Sequence, residues 1–113
     1  MYFGSYLRKL REDRNLRQAD LAEKIGVSTV YVSDIERGLR KPPDSEKLRI
    51  WVNQLCLSQH ETSEFYDLVG VARGIAPPDI QEYLNGNLAA QSAIRRIMVQ
   101  KKEFNWDTIA HRR

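Results

Sequence analysis

The chain has 113 residues, of which 42% are apolar and 29% charged, with one cysteine and a formal charge of +3. That length suits one domain or a small domain with an appendage, the apolar share is ample for a core and excludes a disordered class, and a lone Cys56 excludes an internal disulfide. No charged leader precedes an apolar core and no apolar run reaches membrane-spanning length, so a cytoplasmic protein is expected.

The positive charge is unevenly placed. Residues 1–58 hold eleven Lys or Arg against eight Asp or Glu, while residues 59–113 hold seven of each. Basicity this mild is poor ground for a nucleic-acid function by itself.

In chain order, the first helix is expected over roughly 3–14, with Phe3, Tyr6, Leu7 and Leu10 on one face; Asn15 ends it, since asparagine tolerates left-handed backbone. Residues 18–37, QADLAEKIGVSTVYVSDIER, read as two short helices joined by a tight turn. Leu21, Ala22 and Ile25 form one apolar face, and Val27, Val32 and Ile35 the stripe opposite. Gly26 supplies the left-handed turn, Ser28 caps the second helix, and small Ala22 lets the two helices approach. Arg17 cannot accept from the orphan backbone donors at the start of the first of these, so a flanking side chain or a phosphate has to compensate. Gly38 closes the second helix, and the loop from Leu39 to Pro43 is rigid and cationic, with prolines holding Arg40 and Lys41 toward solvent.

Asp44 or Ser45 caps a fourth helix carrying Leu48, Trp51, Val52 and Leu55 inward, with Ile50 on a neighbouring face. Cys56, on the apolar side of this helix, is expected to be a small buried hydrophobe, redox sensing being the lesser alternative. Ser58 with Glu61 is a capping box that starts a fifth helix, in which Phe65, Leu68, Val69 and Ala72 point inward and Gly74 stops the run. Pro77 and Pro78 then separate two parts, residues 1–74 and 75–113. In the second part Ile80, Tyr83 and Leu84 form a short helix ended by Asn85 and Gly86. Asn87 caps a longer one with an apolar seam of Ala90, Ile94, Ile97 and Met98 and an outer face of Arg95, Arg96, Lys101 and Lys102. Asn105 caps a last short helix bearing Phe104, Trp106 and Ile109. The fold class is all-α.

Chemistry-bearing constellations are lacking. His60 and His111 are far apart with no cysteine or carboxylate at a ligand offset, no Gly-rich phosphate loop or nucleophile elbow occurs, and Glu61 and Glu64 read as a solvated acidic face. A non-enzyme without cofactor or metal is expected.

Residues 3–58 resemble the Cro and phage-repressor family of helix-turn-helix proteins, also called the XRE family. The match is carried by the entry helix FGSYLRKLRED, the two-helix unit, the IERG that ends it, the basic RKP that follows and the closing LCLS. Arg17 stands where the family usually has a capping Ser or Thr, and Cys56 where it often has a helix-ending Gly. The resemblance implies a five-helix, lambda-repressor-like DNA-binding domain with a small C-terminal helical extension. It implies an ion pair between Arg11 and Glu36, and a recognition helix over 28–37 that enters the major groove. By the same match, Gln18 would face a phosphate and brace a recognition side chain, Ser28 would hold another phosphate, and Thr29, Val30, Ser33 and Asp34 would face bases. Threonine and valine suit thymine methyl groups, and Asp34, which can only accept, suits cytosine N4. Tyr31, Arg37, Arg40 and Lys41 border that surface as phosphate contacts, with Arg17 as a further candidate.

The expected function is a sequence-specific transcriptional regulator, a dimeric repressor on a palindromic double-stranded operator at the nucleoid. Residues 79–113 hold more apolar surface than short helices bury alone, which makes Ile94, Ile97, Met98, Phe104, Trp106 and Ile109 the candidate dimer contacts. The alternative is an antitoxin whose C-terminal part binds a toxin. The segment APPDIQEYLNGNLAAQSAIRRIMVQKK is also similar to the C-terminal part of mobile-element repressors cleaved by metalloproteases of the ImmA/IrrE type.

Overall fold

The computed structural model describes residues 1–100, which form seven helices and no strand. In chain order these are α1 (Phe3–Asp13), α2 (Gln18–Ile25), α3 (Thr29–Glu36), α4 (Ser45–Gln54), α5 (Gln59–Arg73), α6 (Pro78–Leu84) and α7 (Leu88–Val99). The chain divides into two compact units, Met1–Ile80 and a second beginning at Gln81.

The first unit is built on one apolar cluster. Leu7, Leu10, Leu21, Val32, Ile35, Leu48, Trp51, Phe65 and Val69 are each below 2% exposed, so every helix from α1 to α5 contributes to a single close-packed core. Phe65 meets Phe3 on one side and Tyr66 on the other, edge to face in both cases. Gly4 lets α1 lie directly on the end of α3: a Cβ there would overlap the carbonyl oxygens of Ile35 and Glu36.

The helix ends follow local chemistry. Asn15 stands at φ 55° beyond α1, and Gly26 at φ 75° makes the turn between α2 and α3. Ser28 Oγ accepts from the backbone N–H of Tyr31 at 3.0 Å, and Asp44 rather than Ser45 caps α4, its carboxylate accepting from Lys47 N–H. At α5 the capping box is complete: Ser58 Oγ accepts from Glu61 N–H, and the Glu61 carboxylate accepts from Ser58 N–H. Arg14 adds a clamp that links three helices. Its guanidinium donates to Leu10 O, to Leu55 O at 2.8 Å and to Glu61 Oε1 at 2.9 Å. The Ser58 N–H bond first, and the Arg14 contact second, hold the Glu61 carboxyl below its ordinary value.

Two sequence expectations are corrected here. Cys56 is exposed, not buried. It lies past the last residue of α4 at φ 50°, where the backbone has turned left-handed and no longer carries the helical face inward. It thus occupies the very turn for which glycine is the usual residue. In α5, Ala72 is exposed and does not point inward, while Leu68 is half-buried against the core as expected, and Tyr66 and Gly70 join Phe65 and Val69 on the buried face.

In the second unit, Asn87 Oδ1 accepts from Ala90 N–H and so caps α7, and Gln91 Nε2 donates to Leu84 O. Along α7, Ala90, Ala93 and Ile97 are half-buried, whereas Ile94, Met98, Leu88 and Val99 are exposed. The expected helix bearing Phe104, Trp106 and Ile109, like Lys101 and Lys102, lies outside the described residues.

Candidate nucleic-acid interface

Helix α3 is two-faced. Val32, Ile35 and Glu36 are buried, so helical spacing turns Val30 and Asp34 to the other side and Ser33 to its flank, while Thr29 is uncovered as the first residue of the helix. Thr29 and Val30 are open to water and Ser33 and Asp34 half-buried. Val30 is 69% exposed, an apolar β-branched side chain with no packing reason to stand at the front of a helix. The positive end of the α3 dipole opens beside it, with Ser28 exposed at the cap.

Cations flank this face. Arg37, Arg40 and Lys41 are exposed beyond the C-terminal end of α3. Arg40 does not simply extend into solvent, as the proline-flanked loop suggested; its guanidinium carbon stands 4.7 Å from the centroid of the Tyr31 ring. Tyr31 is half-buried and meets Trp51 edge-on.

At the start of α2 the missing cap is replaced. Asp20 accepts from the Arg17 backbone N–H at 2.9 Å and from its Nε and Nη2 at 3.0 Å each, so the compensating group is a side chain one turn along. These bonds, the Arg17 guanidinium first and its backbone N–H next, hold the Asp20 carboxyl at about 2 against an ordinary 3.8. Folding that depresses a carboxyl pKa adds stability that is present above the unfolded value and lost as pH falls through the folded one. Stability is therefore expected to fall as pH drops from 3.8 toward about 2 through this residue. Chemical denaturation across that range should show a smaller pH slope for Asp20→Asn than for the wild type. Equal slopes would mean the carboxylate does not hold the start of α2.

Gln18 is also differently engaged. Its Nε2 donates to Glu36 Oε1 at 3.2 Å, so it braces the buried end of α3 instead of a base-facing side chain. Glu36 is the hub of that end: Arg11 Nε and Nη2 donate to its two oxygens at 2.8 and 3.0 Å, and Arg11 Nη1 donates to Leu16 O. The expected ion pair is therefore present, bidentate and buried. The Glu36 contact raises the Arg11 pKa above its ordinary value.

Three contributors to this surface were not read from the sequence, and two of them, Tyr2 and Arg73, carry no local signal there. Tyr2 lies over the C-terminal end of α3, its hydroxyl 3.5 Å from Glu36 O. Arg73, from the end of α5, donates to Pro42 O at 3.0 Å and pins the cationic loop. Asp20 could have been found, because an acidic residue three positions after a cap is half of a capping box. Of the expected dimer contacts, Ile94 and Met98 are exposed and Ile97 half-buried on α7, in the other unit.

Two short helices meeting through a left-handed glycine, the second with its outer face clear and cations beside it, form a helix-turn-helix DNA-binding unit. Residues 7–55 match the family described as Helix-turn-helix. The chain is 30% identical to the HTH-type transcriptional regulator SinR of Bacillus subtilis over 73% of this chain and 88% of that protein. It is 36% identical to the HTH-type transcriptional regulator DdrOP3 of Deinococcus deserti over 57% of this chain and 49% of that one. An HTH-type transcriptional regulator of Mycobacterium tuberculosis is 51% identical over 34% of this chain, a match that spans only 28% of that relative's length. The chain belongs to the helix-turn-helix family of transcriptional regulators, which are DNA-binding proteins and not enzymes. No helix among the described residues is long and apolar enough to cross a membrane.

Proposed function

We propose that the chain is a dimeric repressor that reads a palindromic operator with α3 in the major groove. Thr29, Val30, Ser33 and Asp34 face base edges, and Arg17, Gln18, Ser28, Tyr31, Arg37, Arg40 and Lys41 surround them on the phosphates. The observation that carries this reading is the exposed Val30 at the front of α3, flanked by the Ser28 cap and by the cations that follow the helix. With valine, threonine and an acceptor-only aspartate at the bases, direct readout is thin and affinity comes chiefly from counterion release. The readout itself favours thymine methyl groups and cytosine N4.

Residues 1–74 form the reader in this proposal and residues 75–113 the pairing segment. Exposed Ile94 and Met98 on α7 support an isologous contact through that segment, which Phe104, Trp106 and Ile109 extend. Pairing sets two recognition helices about 34 Å apart, one turn of duplex. Protein of this kind works at the nucleoid in the cytoplasm.

Selection of bound duplexes from a random library, followed by footprinting, tests the proposal. Two half-sites about one turn apart are the expected result. Ile94→Glu and Met98→Glu should shift the sedimenting species to monomer and weaken binding to the full site. Selection without a repeated half-site, or a wild-type protein that sediments as a monomer at micromolar concentration, would overturn the dimeric operator reading and leave α7 for a different protein such as a toxin.

A further inference from the structure

Arg40 lies two residues past the glycine that closes α3, yet its side chain turns back onto the recognition helix, with the guanidinium carbon 4.7 Å from the Tyr31 ring centroid. Tyr31 is itself held. Its ring meets Trp51 with centroids 6.1 Å apart and planes at 90°, and Trp51 is only 1% exposed at the centre of the core. The loop on the other side of Arg40 is fixed as well, because Pro42 is buried and its carbonyl accepts from Arg73.

A guanidinium that meets an aromatic ring through its face still has its N–H donors in the plane of the group, aimed outward. Arginine otherwise carries large rotamer freedom, and losing it on association weakens binding; a side chain already ordered in the free protein loses less.

We infer that Tyr31 is a positioning residue. Its ring, braced on Trp51, holds the Arg40 guanidinium in a set pose from which the in-plane donors engage a DNA phosphate. This rests on the reading of the 39–43 loop as part of the DNA interface, and it changes the part Tyr31 plays there: the ring acts, and the hydroxyl is dispensable.

The test uses the full chain and a long mixed-sequence duplex, since phosphate contacts are read without knowledge of the operator. Binding is titrated at several salt concentrations for Tyr31→Phe, Tyr31→Leu, Arg40→Ala, the Tyr31→Leu/Arg40→Ala pair and Arg37→Ala, with a thermal melt of each. Arg40→Ala should lower the slope of log K against log salt by about 1. Tyr31→Leu should weaken binding about three-fold, Tyr31→Phe should match the wild type, and Tyr31→Leu should add nothing once Arg40 is gone. Tyr31→Phe weakening binding as much as Tyr31→Leu would make the hydroxyl the contact and overturn the inference. So would the same factor for Tyr31→Leu with and without Arg40, which would mean general packing. If Arg40→Ala has no effect while Arg37→Ala still weakens binding, the loop is outside the interface and the inference fails alone; if neither has an effect, the DNA-interface reading fails with it. The DNA-free wild-type chain gives a second readout that needs no stable variant. Arg40 side-chain resonances should be shifted upfield by the ring current, and random-coil values there would overturn the pose over the Tyr31 ring.

Discussion

Glu36→Ala should destabilise the first unit by about 3–5 kcal/mol, the range for removing one partner of a buried ion pair. The Glu36 side chain is 3% exposed and accepts from Arg11 Nε, Arg11 Nη2 and Gln18 Nε2. Arg11 cannot neutralise itself in response, since its guanidinium stays protonated and the Glu36 contact is what raises its pKa further. Deleting the carboxylate thus leaves a buried cation with Leu16 O as its remaining acceptor in the described network. Against a typical total of about 5–15 kcal/mol the loss is large. Glu36→Gln keeps an acceptor for Arg11 and should cost distinctly less. Urea denaturation followed by far-UV circular dichroism checks both, and near-wild-type stability for Glu36→Ala would show that water reaches the pair. DNA binding should fall with stability, because the same carboxylate anchors α1 and the start of α2 to the end of the recognition helix.

Gly4→Ala is the second large effect, a single added methyl group expected to cost about 1–3 kcal/mol through overpacking. Its Cβ would overlap the carbonyl oxygens of Ile35 and Glu36, which are backbone atoms and cannot rotate away. Helix α1 must lift from the end of α3, and with it Phe3, Leu7 and Leu10 lose part of their packing. The result should be a lower melting temperature together with weaker DNA binding measured well below it, because α3 is tilted even when folded. Gly38→Ala provides the contrast. There the nearest atom to an added Cβ is Tyr2 Cε2 at 3.7 Å, ordinary contact, so only the backbone strain at φ 75° remains. A Gly4→Ala protein that melts like the wild type would mean that the α1–α3 approach is looser than described.

Much of the fold was legible because it is written in local chemistry. A residue three or four positions away is enough to satisfy a helix end, so Asn15, Gly26, Ser28 and the Ser58–Glu61 box could each be assigned from a few neighbouring letters. Helical spacing likewise placed Val32 and Ile35 on the inward stripe, whereas the outward roles of Thr29, Val30, Ser33 and Asp34 rested on the family resemblance; Thr29, only three residues before buried Val32, is exposed as the first residue of α3. Periodicity fails where the helix stops. Cys56 continues the apolar pattern of α4 on paper, yet the turn at φ 50° removes it from the face that pattern describes.

The helical class and the two-helix unit with its turn were decided by the sequence, since both depend on contacts within about one or two helical turns. Tertiary structure alone decided which distant groups meet. Arg14 finds Glu61 across 47 positions, Gln18 turns to Glu36 across 18, Arg73 reaches Pro42 across 31, Arg40 settles on Tyr31, and Gly4 is required only because α3 passes beneath it. The physical reason is that hydrogen-bond and ring partners are chosen by which side chains the packed core brings within reach, and a long flexible arginine or glutamine has several chemically equivalent partners until the core has formed.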